Sequence, residues 1–194
     1  MWKALATQTV SSFHYWYCSY VEDREEMWTK LLDFHPYWQY LYCRLIKDRP
    51  EMARALTKNK HVDTCQYIYM YCKYIEDAEK MWKALASNRR DGALKYQYRY
   101  CCNIKDREEV WKAIAESKNF RAPYYQYKYC TRVNNREEVW RALAKSRCTY
   151  APEWQYKYCK EFGPKPEFEK AIKNSSSRYR AKWWKTYCRW IKED

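Results

Sequence analysis

Glycine is almost missing from this chain: Gly92 and Gly163 are the only two in 194 residues. That excludes a glycine-rich phosphate loop and a dinucleotide-binding fingerprint, which need several glycines close together. It also leaves little material for turns that require positive φ, such as the tight corners of a β-solenoid. Histidine is nearly as scarce. His14, His35 and His61 all lie in the first third, and no His-Glu-x-x-His pattern or Cys-x-x-Cys pair occurs. His61-Val-Asp-Thr-Cys65 sets two ligands on one helical turn, fewer than a zinc site needs. No catalytic, cofactor-binding or metal-ligating residue is therefore expected, and the chain does not read as an enzyme. No run approaches the ~18 apolar residues of a membrane helix, so no membrane partner is expected. Met1-Trp2-Lys3 runs straight into repeat sequence instead of a secretory leader.

What the chain does contain is a period. Tyr-Cys recurs seven times, ending at Cys18, Cys43, Cys72, Cys101, Cys130, Cys159 and Cys188, with an interval of 29 residues from Cys43 onward. Ten positions after each of the first six cysteines stands a second landmark: Trp28, Ala53, Trp82, Trp111, Trp140 and Glu169. A fixed period of this length marks a repeat array whose units bury their cores against their neighbours. The landmarks divide one continuous array, 1–194, into units 1–27, 28–52, 53–81, 82–110, 111–139, 140–168 and 169–194. Aromatic residues make up 20 % of the composition, which gives each short unit a large area to bury.

Each unit holds two segments. Segment A, as in Asn135-Arg-Glu-Glu-Val-Trp-Arg-Ala-Leu-Ala-Lys145, reads as a helix. Asp23, Asp48, Asp77, Asp106 and Asn135 stand where an N-cap belongs, and acidic residues fill the first turn. Val139, Trp140, Leu143 and Ala144 form its buried stripe. Segment B, as in Tyr125-Gln-Tyr-Lys-Tyr129, alternates like a strand. Yet Tyr125, Tyr129, Cys130 and Val133 also share one helical face, and Pro36, Pro123 and Pro152 sit where the first turn of a helix tolerates proline. The expectation is an all-α, right-handed α-solenoid of about seven short helix–turn–helix repeats, with a β–α solenoid as the alternative. The segment between cysteine and landmark is constant, so the B-to-A turn is short. The A-to-B connector varies in length and carries Arg89, Arg90, Lys118, Arg121, Arg147, Arg178 and Arg180.

Ten cysteines suit a disulfide scaffold only where Cα atoms come within roughly 7 Å. Equivalent residues of packed helices lie about 8–10 Å apart, so the ladder reads as buried thiols in an intracellular, reducing compartment, whether cytoplasm or an organelle matrix such as the mitochondrion. Cys65, Cys102 and Cys148 lie outside the ladder and are open to exposure. Vicinal Cys101-Cys102 invites a redox reading, against which stands the place of Cys101 in the ladder.

Tyr127-Lys-Tyr-Cys130 followed by Val139-Trp-Arg-Ala-Leu143, and Tyr98-Arg-Tyr-Cys101 followed by Val110-Trp-Lys-Ala-Ile114, resemble the half-a-TPR and tetratricopeptide families. The likeness runs along the array, with a period shorter than the ~34 residues of those families. Half-a-TPR arrays are scaffolds in RNA-processing complexes, so the resemblance implies a ribonucleoprotein scaffold.

Charge supports a polyanion partner. The formal net charge is +14, distributed over the seven units as −2, +1, +1, +3, +3, +3 and +5. A basic C-terminal half beside a near-neutral N-terminal half points to RNA, structured or ribosomal, bound by phosphate and shape contacts. Candidates are the connector cations together with Arg99, Lys128 and Lys157 of segment B, where Gln97, Gln126 and Gln155 would join them on a binding track. The alternative is a purely protein-binding subunit with charge serving solubility. Trp183, Trp184 and Trp190 are candidates for docking other protein subunits.

Overall fold

The computed structural model describes residues 10–90 and 92–193. The partial A segment expected at the start of the chain lies outside the described residues. Segment B is helical, and no strand occurs among the described residues. The B helices are α1 (Ser11–Tyr20), α3 (Pro36–Leu45), α5 (Thr64–Tyr74), α7 (Ala93–Asn103), α9 (Ala122–Arg132), α11 (Ala151–Phe162) and α13 (Arg180–Glu193). The A helices are α2 (Glu25–Trp28), α4 (Pro50–Lys58), α6 (Glu79–Ser87), α8 (Glu108–Ala115), α10 (Glu137–Lys145) and α12 (Pro166–Lys173). Among the described residues the chain is thus all-α, built from repeated short helices that pack in neighbouring pairs within each compact unit. It falls into two compact units, Met1–Tyr96 and Gln97–Asp194, divided within α7.

The repeat register is set on the A helices. Met27 and Leu31, Met52 and Leu56, Met81 and Leu85, Val110 and Ile114, Val139 and Leu143, and Phe168 and Ile172 are all fully buried. Each pair is spaced i, i+4, one helical turn on one face. Burying such a side chain is worth roughly 1.5–3 kcal/mol. The Trp landmark next to this column is replaced by Ala53 and Glu169, whereas the column itself stays apolar in every unit.

Glycine can be scarce because the turns are built by other means. At five B-helix ends, the carbonyl of the Tyr in Tyr-Cys accepts two backbone N–H groups, as Tyr42 does from Ile46 (3.0 Å) and Lys47 (3.1 Å) and Tyr129 from Val133 (2.9 Å) and Asn134 (3.1 Å). Val or Ile at that exit keeps negative φ (Ile46 −113°, Val133 −114°). The sixth exit instead uses Gly163 at φ 86°. On the connector side, polar side chains accept from the N–H two residues on: Asn59 from His61 (2.9 Å), Asn88 from Arg90 (3.0 Å), Asn119 from Arg121 (2.9 Å) and Ser175 from Ser177 (3.1 Å). These are Asx and ST turns, which need no left-handed residue.

After α2 the helix tightens to 3₁₀ over Thr29–Asp33. The connector there is four residues shorter than in later units, and a 3₁₀ rise of about 2.0 Å per residue lets fewer residues cover the distance.

The N-cap expectation is corrected. The capping positions are Arg24, Arg49, Ala78, Arg107 and Arg136, each one residue later than the expected Asp or Asn and without a side-chain cap bond. Asp23, Asp48, Asp106 and Asn135 are taken by the next unit. Tyr42 donates its hydroxyl to Asp23, Tyr71 to Asp48 (2.7 Å), Tyr129 to Asp106 (2.6 Å) and Tyr158 to Asn135 (2.8 Å). Arg49 and Arg136 close the arrangement, donating to both that Tyr oxygen (2.6 and 2.8 Å) and that Asp (2.5 and 2.8 Å). Their guanidinium groups lie 4.7 and 5.1 Å from the ring centres of Trp28 and Trp111. One clasp thus ties the acid before an A helix, and the Trp on that helix, to a Tyr of the following B helix and an Arg at the start of the next A helix.

The glutamines of segment B are also corrected. Gln39, Gln97, Gln126 and Gln155 are buried. Gln126 Nε2 donates to the carbonyls of Ile114 (3.2 Å) and Ala115 (3.0 Å), and Gln155 Nε2 to Leu143 (3.0 Å) and Ala144 (3.2 Å). They satisfy the last carbonyls of the preceding A helix, which have no partner within the helix. A buried amide that completes a helix end is not available to a ligand.

Candidate nucleic-acid interface

The ten cations expected to bind nucleic acid separate into two sets. Arg99, Lys128 and Lys157 lie within B helices, beside a ladder of rings. At each repeat junction a Tyr packs on the aromatic residue of the next unit: Tyr15 on Trp38 (5.2 Å between centres), Tyr40 on Tyr67 (5.9 Å), Tyr69 on Tyr96 (6.0 Å), Tyr98 on Tyr125 (5.9 Å), Tyr127 on Trp154 (5.4 Å) and Tyr156 on Trp183 (5.6 Å). These rings contact one another and form structure, which limits their use as stacking platforms. Lys157 is engaged twice, with Glu153 (2.7 Å) and over Trp154 (4.1 Å). Lys128 lies 5.6 Å from the Tyr124 ring centre.

The remaining cations sit at the A-to-B connectors, except Arg180, which is the first residue of α13. Lys60, Arg89, Lys118 and Arg147 recur at the same connector position, and all are exposed. Arg89 donates to the Ala86 carbonyl (2.7 Å) at the end of α6. Arg90 reaches back one repeat to the carbonyls of Asn59 (3.3 Å) and His61 (3.0 Å), so part of its hydrogen-bonding capacity is structural. Arg121 lies over Phe120 at 5.1 Å.

Within Gln97–Asp194 the connector cations converge with cations of the A helices. A hollow of about 950 Å³ opens between α10 and α12 and the connectors that follow them. Its walls carry Arg141, Lys145, Arg147 and Lys170 against one acid, Glu167. A second hollow of about 340 Å³ is lined by Arg147, Thr149, Tyr150, Ser176, Ser177 and Arg178. Arg147 belongs to both. Beside the smaller hollow, Tyr150 stacks on Tyr179 with centres 5.8 Å apart, and the Arg178 guanidinium lies 4.8 Å from the Tyr179 ring centre. Two guanidinium groups, hydroxyls and a ring stack make a suitable surface for a phosphate and its nucleoside. Lys118, Arg121 and Arg180 line neither hollow.

Arg141 and Lys170 were findable. They belong to a cation column on the A helices that includes Arg54, Lys83 and Lys112. Lys83, Lys112 and Arg141 each pair with a glutamate four residues earlier, Glu79, Glu108 and Glu137. At Lys170 that position is Pro166, so the helix supplies no such acid.

Trp183, Trp184 and Trp190 are half-buried. Trp183 and Trp190 pack on Tyr156, and Trp184 stacks on Tyr187. They close the last helix pair, and each retains partial exposure.

All ten cysteines are free thiols. Burial pushes Cys18, Cys43 and Cys130 up to about 12 and Cys159 to about 11, so these ladder thiols stay protonated at neutral pH. Cys65, expected to be open to exposure, is buried as well and pushed up to about 11. Cys102 is exposed and Cys148 half-exposed. No helix among the described residues is long and apolar enough to cross a membrane. No family model, curated protein or solved structure matches this chain.

Proposed function

We propose that this protein is a non-catalytic helical-repeat scaffold that binds RNA through the connector edge of its C-terminal compact unit, Gln97–Asp194. The observation that carries this reading is the pair of hollows sharing Arg147, walled by five cations and one acid. Phosphates supply negative charge to these side chains, of which Arg141 already holds one partner in Glu137, and the Tyr150–Tyr179 stack receives an unpaired base. The B-helix cations Arg99 and Lys128 contribute long-range attraction. The test is fluorescence anisotropy with a single-stranded and a stem-loop RNA at low salt. Reversing Arg141, Arg147, Lys170 and Arg178 to glutamate should abolish binding while far-UV circular dichroism is unchanged. Retained affinity in that variant rejects this face, and reversal of Arg89, Arg90 and Arg121 then tests the other connectors.

A protein-docking role is favoured by a different surface. Phe13 (49 % exposed), Trp16 (47 %) and Tyr20 (76 %) lie on α1 at i, i+3 and i+7, an apolar stripe of the kind that partner proteins cover.

A further inference from the structure

His35 belongs to the connector before α3, and His61 and Asp63 to the connector before α5. Stacking of adjacent repeats brings these two connectors together. The His35 and His61 ring centres are 4.0 Å apart, at an interplanar angle of 61°. Asp63 Oδ2 lies 3.8 Å from His35 Nε2 and 3.6 Å from His61 Nδ1. One potential ligand atom from each of the three residues lies within 4.8 Å of the other two.

We propose that His35, His61 and Asp63 form a binding site for a divalent transition-metal ion of the zinc class, which cross-links two successive connectors. Two imidazoles and one carboxylate are a donor set that zinc, cobalt and nickel accept. Donors bonded at about 2.0–2.1 Å in a tetrahedron lie about 3.3 Å apart. The present separations exceed that by amounts that rotation of half-exposed side chains supplies. All three residues are half-buried, so the donors are accessible to an ion from solvent.

The backbone holds the rings in place. His35 Nδ1 accepts the Tyr37 N–H (3.2 Å), and His61 Nδ1 accepts the Asp63 N–H (3.2 Å). Both bonds are long. Coordination of His35 through Nε2, the nitrogen facing Asp63, releases that ring's proton or moves it to Nδ1 and gives up the weak bond from Tyr37, whereas His61 faces Asp63 with Nδ1. The hollow beside the site, about 660 Å³, is lined by His35 and His61 and carries Asp33, Lys58 and Lys60 as its charged groups. Three protein donors leave at least one coordination position for water or a small anion, as in open zinc sites.

Cobalt(II) titration of the metal-stripped full chain tests the proposal, followed by visible absorption and then by zinc competition. The expected result is one saturable equivalent with d–d bands, displaced by zinc, and without a thiolate charge-transfer band. His35→Ala and His61→Ala should each weaken binding by more than about tenfold, and Asp63→Asn should do likewise. Zinc should raise the melting temperature of the wild type and leave that of Asp63→Asn unmoved. The proposal is overturned by absence of saturable binding, by a thiolate band assigning the metal to Cys102 or Cys148, or by affinity that survives His35→Ala with His61→Ala.

Discussion

Gln126 and Gln155 each place an amide where an A helix runs out of partners for its last carbonyls. Gln126→Ala leaves the Ile114 and Ala115 carbonyls buried without that donor. The expected loss is about 1–3 kcal/mol, read from the denaturant midpoint. One repeat lacks the glutamine: Ile68 stands at that position, and the Thr64 hydroxyl donates to connector carbonyls instead, those of Asn59 (3.1 Å) and His61 (2.7 Å). The alternation Tyr-Gln-Tyr-Lys-Tyr gave no warning of this role. A polar residue between aromatics looks solvated until its acceptors, eleven and twelve residues earlier in the chain, are known. The thiols were more legible, because a cysteine repeated in step with an apolar column has the environment of that column. Thiol-labelling reagent at neutral pH should modify Cys102 and Cys148 and spare Cys43, Cys65, Cys72, Cys101, Cys130 and Cys159 until the chain unfolds.

At the scale of elements, helix pairs are joined by the Asp–Tyr–Arg clasp. Asp106 accepts from Tyr129 and Arg136, while the corresponding junction at Tyr158 uses neutral Asn135, with Lys165 lying 4.6 Å from the Trp140 ring centre. Asp106→Asn therefore reproduces a junction that the protein already contains and should cost less than Asp106→Ala. The alanine variant leaves the Tyr129 hydroxyl without its acceptor, at about 1–3 kcal/mol. Chemical denaturation of the two variants side by side checks the ordering, and equal losses would remove the hydrogen bond from the account. The acids were visible in the sequence, and their proximity to A-helix starts suggested capping. The structure places the cap one residue later, so the carboxylate is directed to a neighbour instead of to its own helix. That choice depends on φ and ψ at Arg107 and Arg136 (ψ 141° and 138°), which no residue pattern encodes. The His35–His61 pairing was hidden for a related reason. The connector holding His35 is shorter than the one holding His61, so their numbering does not follow the 29-residue period.

Across the whole molecule, buried neutral acids give stability a definite pH dependence. Cys18, Cys43, Cys65, Cys130 and Cys159 titrate at about 11–12 in the fold, above the ordinary thiol value of 9.0. Burial raises Tyr158 and Tyr187 to about 12 from 10.0. Because the folded values are the higher ones, their contribution is complete below the unfolded values. It is lost as pH rises, since the unfolded chain ionises first. Stability should fall steadily from about pH 9 towards pH 12, faster than carboxylates and lysines alone would give. Guanidinium titrations at a series of alkaline pH values measure this. A flat profile would contradict the burial of the ladder.

The charge of the molecule bears on its proposed role most directly. The rise in positive charge towards the C-terminus was legible from composition, but the convergence at Arg147 required the fold, because Arg141, Lys170 and Arg178 come from three different segments. The decisive measurement is the salt dependence of RNA affinity for wild type and for Arg147→Ala/Arg178→Ala. Each phosphate contact contributes a slope of about −0.7 in log K against log salt for a single strand. The account predicts weaker binding and a slope shallower by about 1.4 in the double variant, with helicity unchanged. An identical slope and affinity in the two proteins would contradict it.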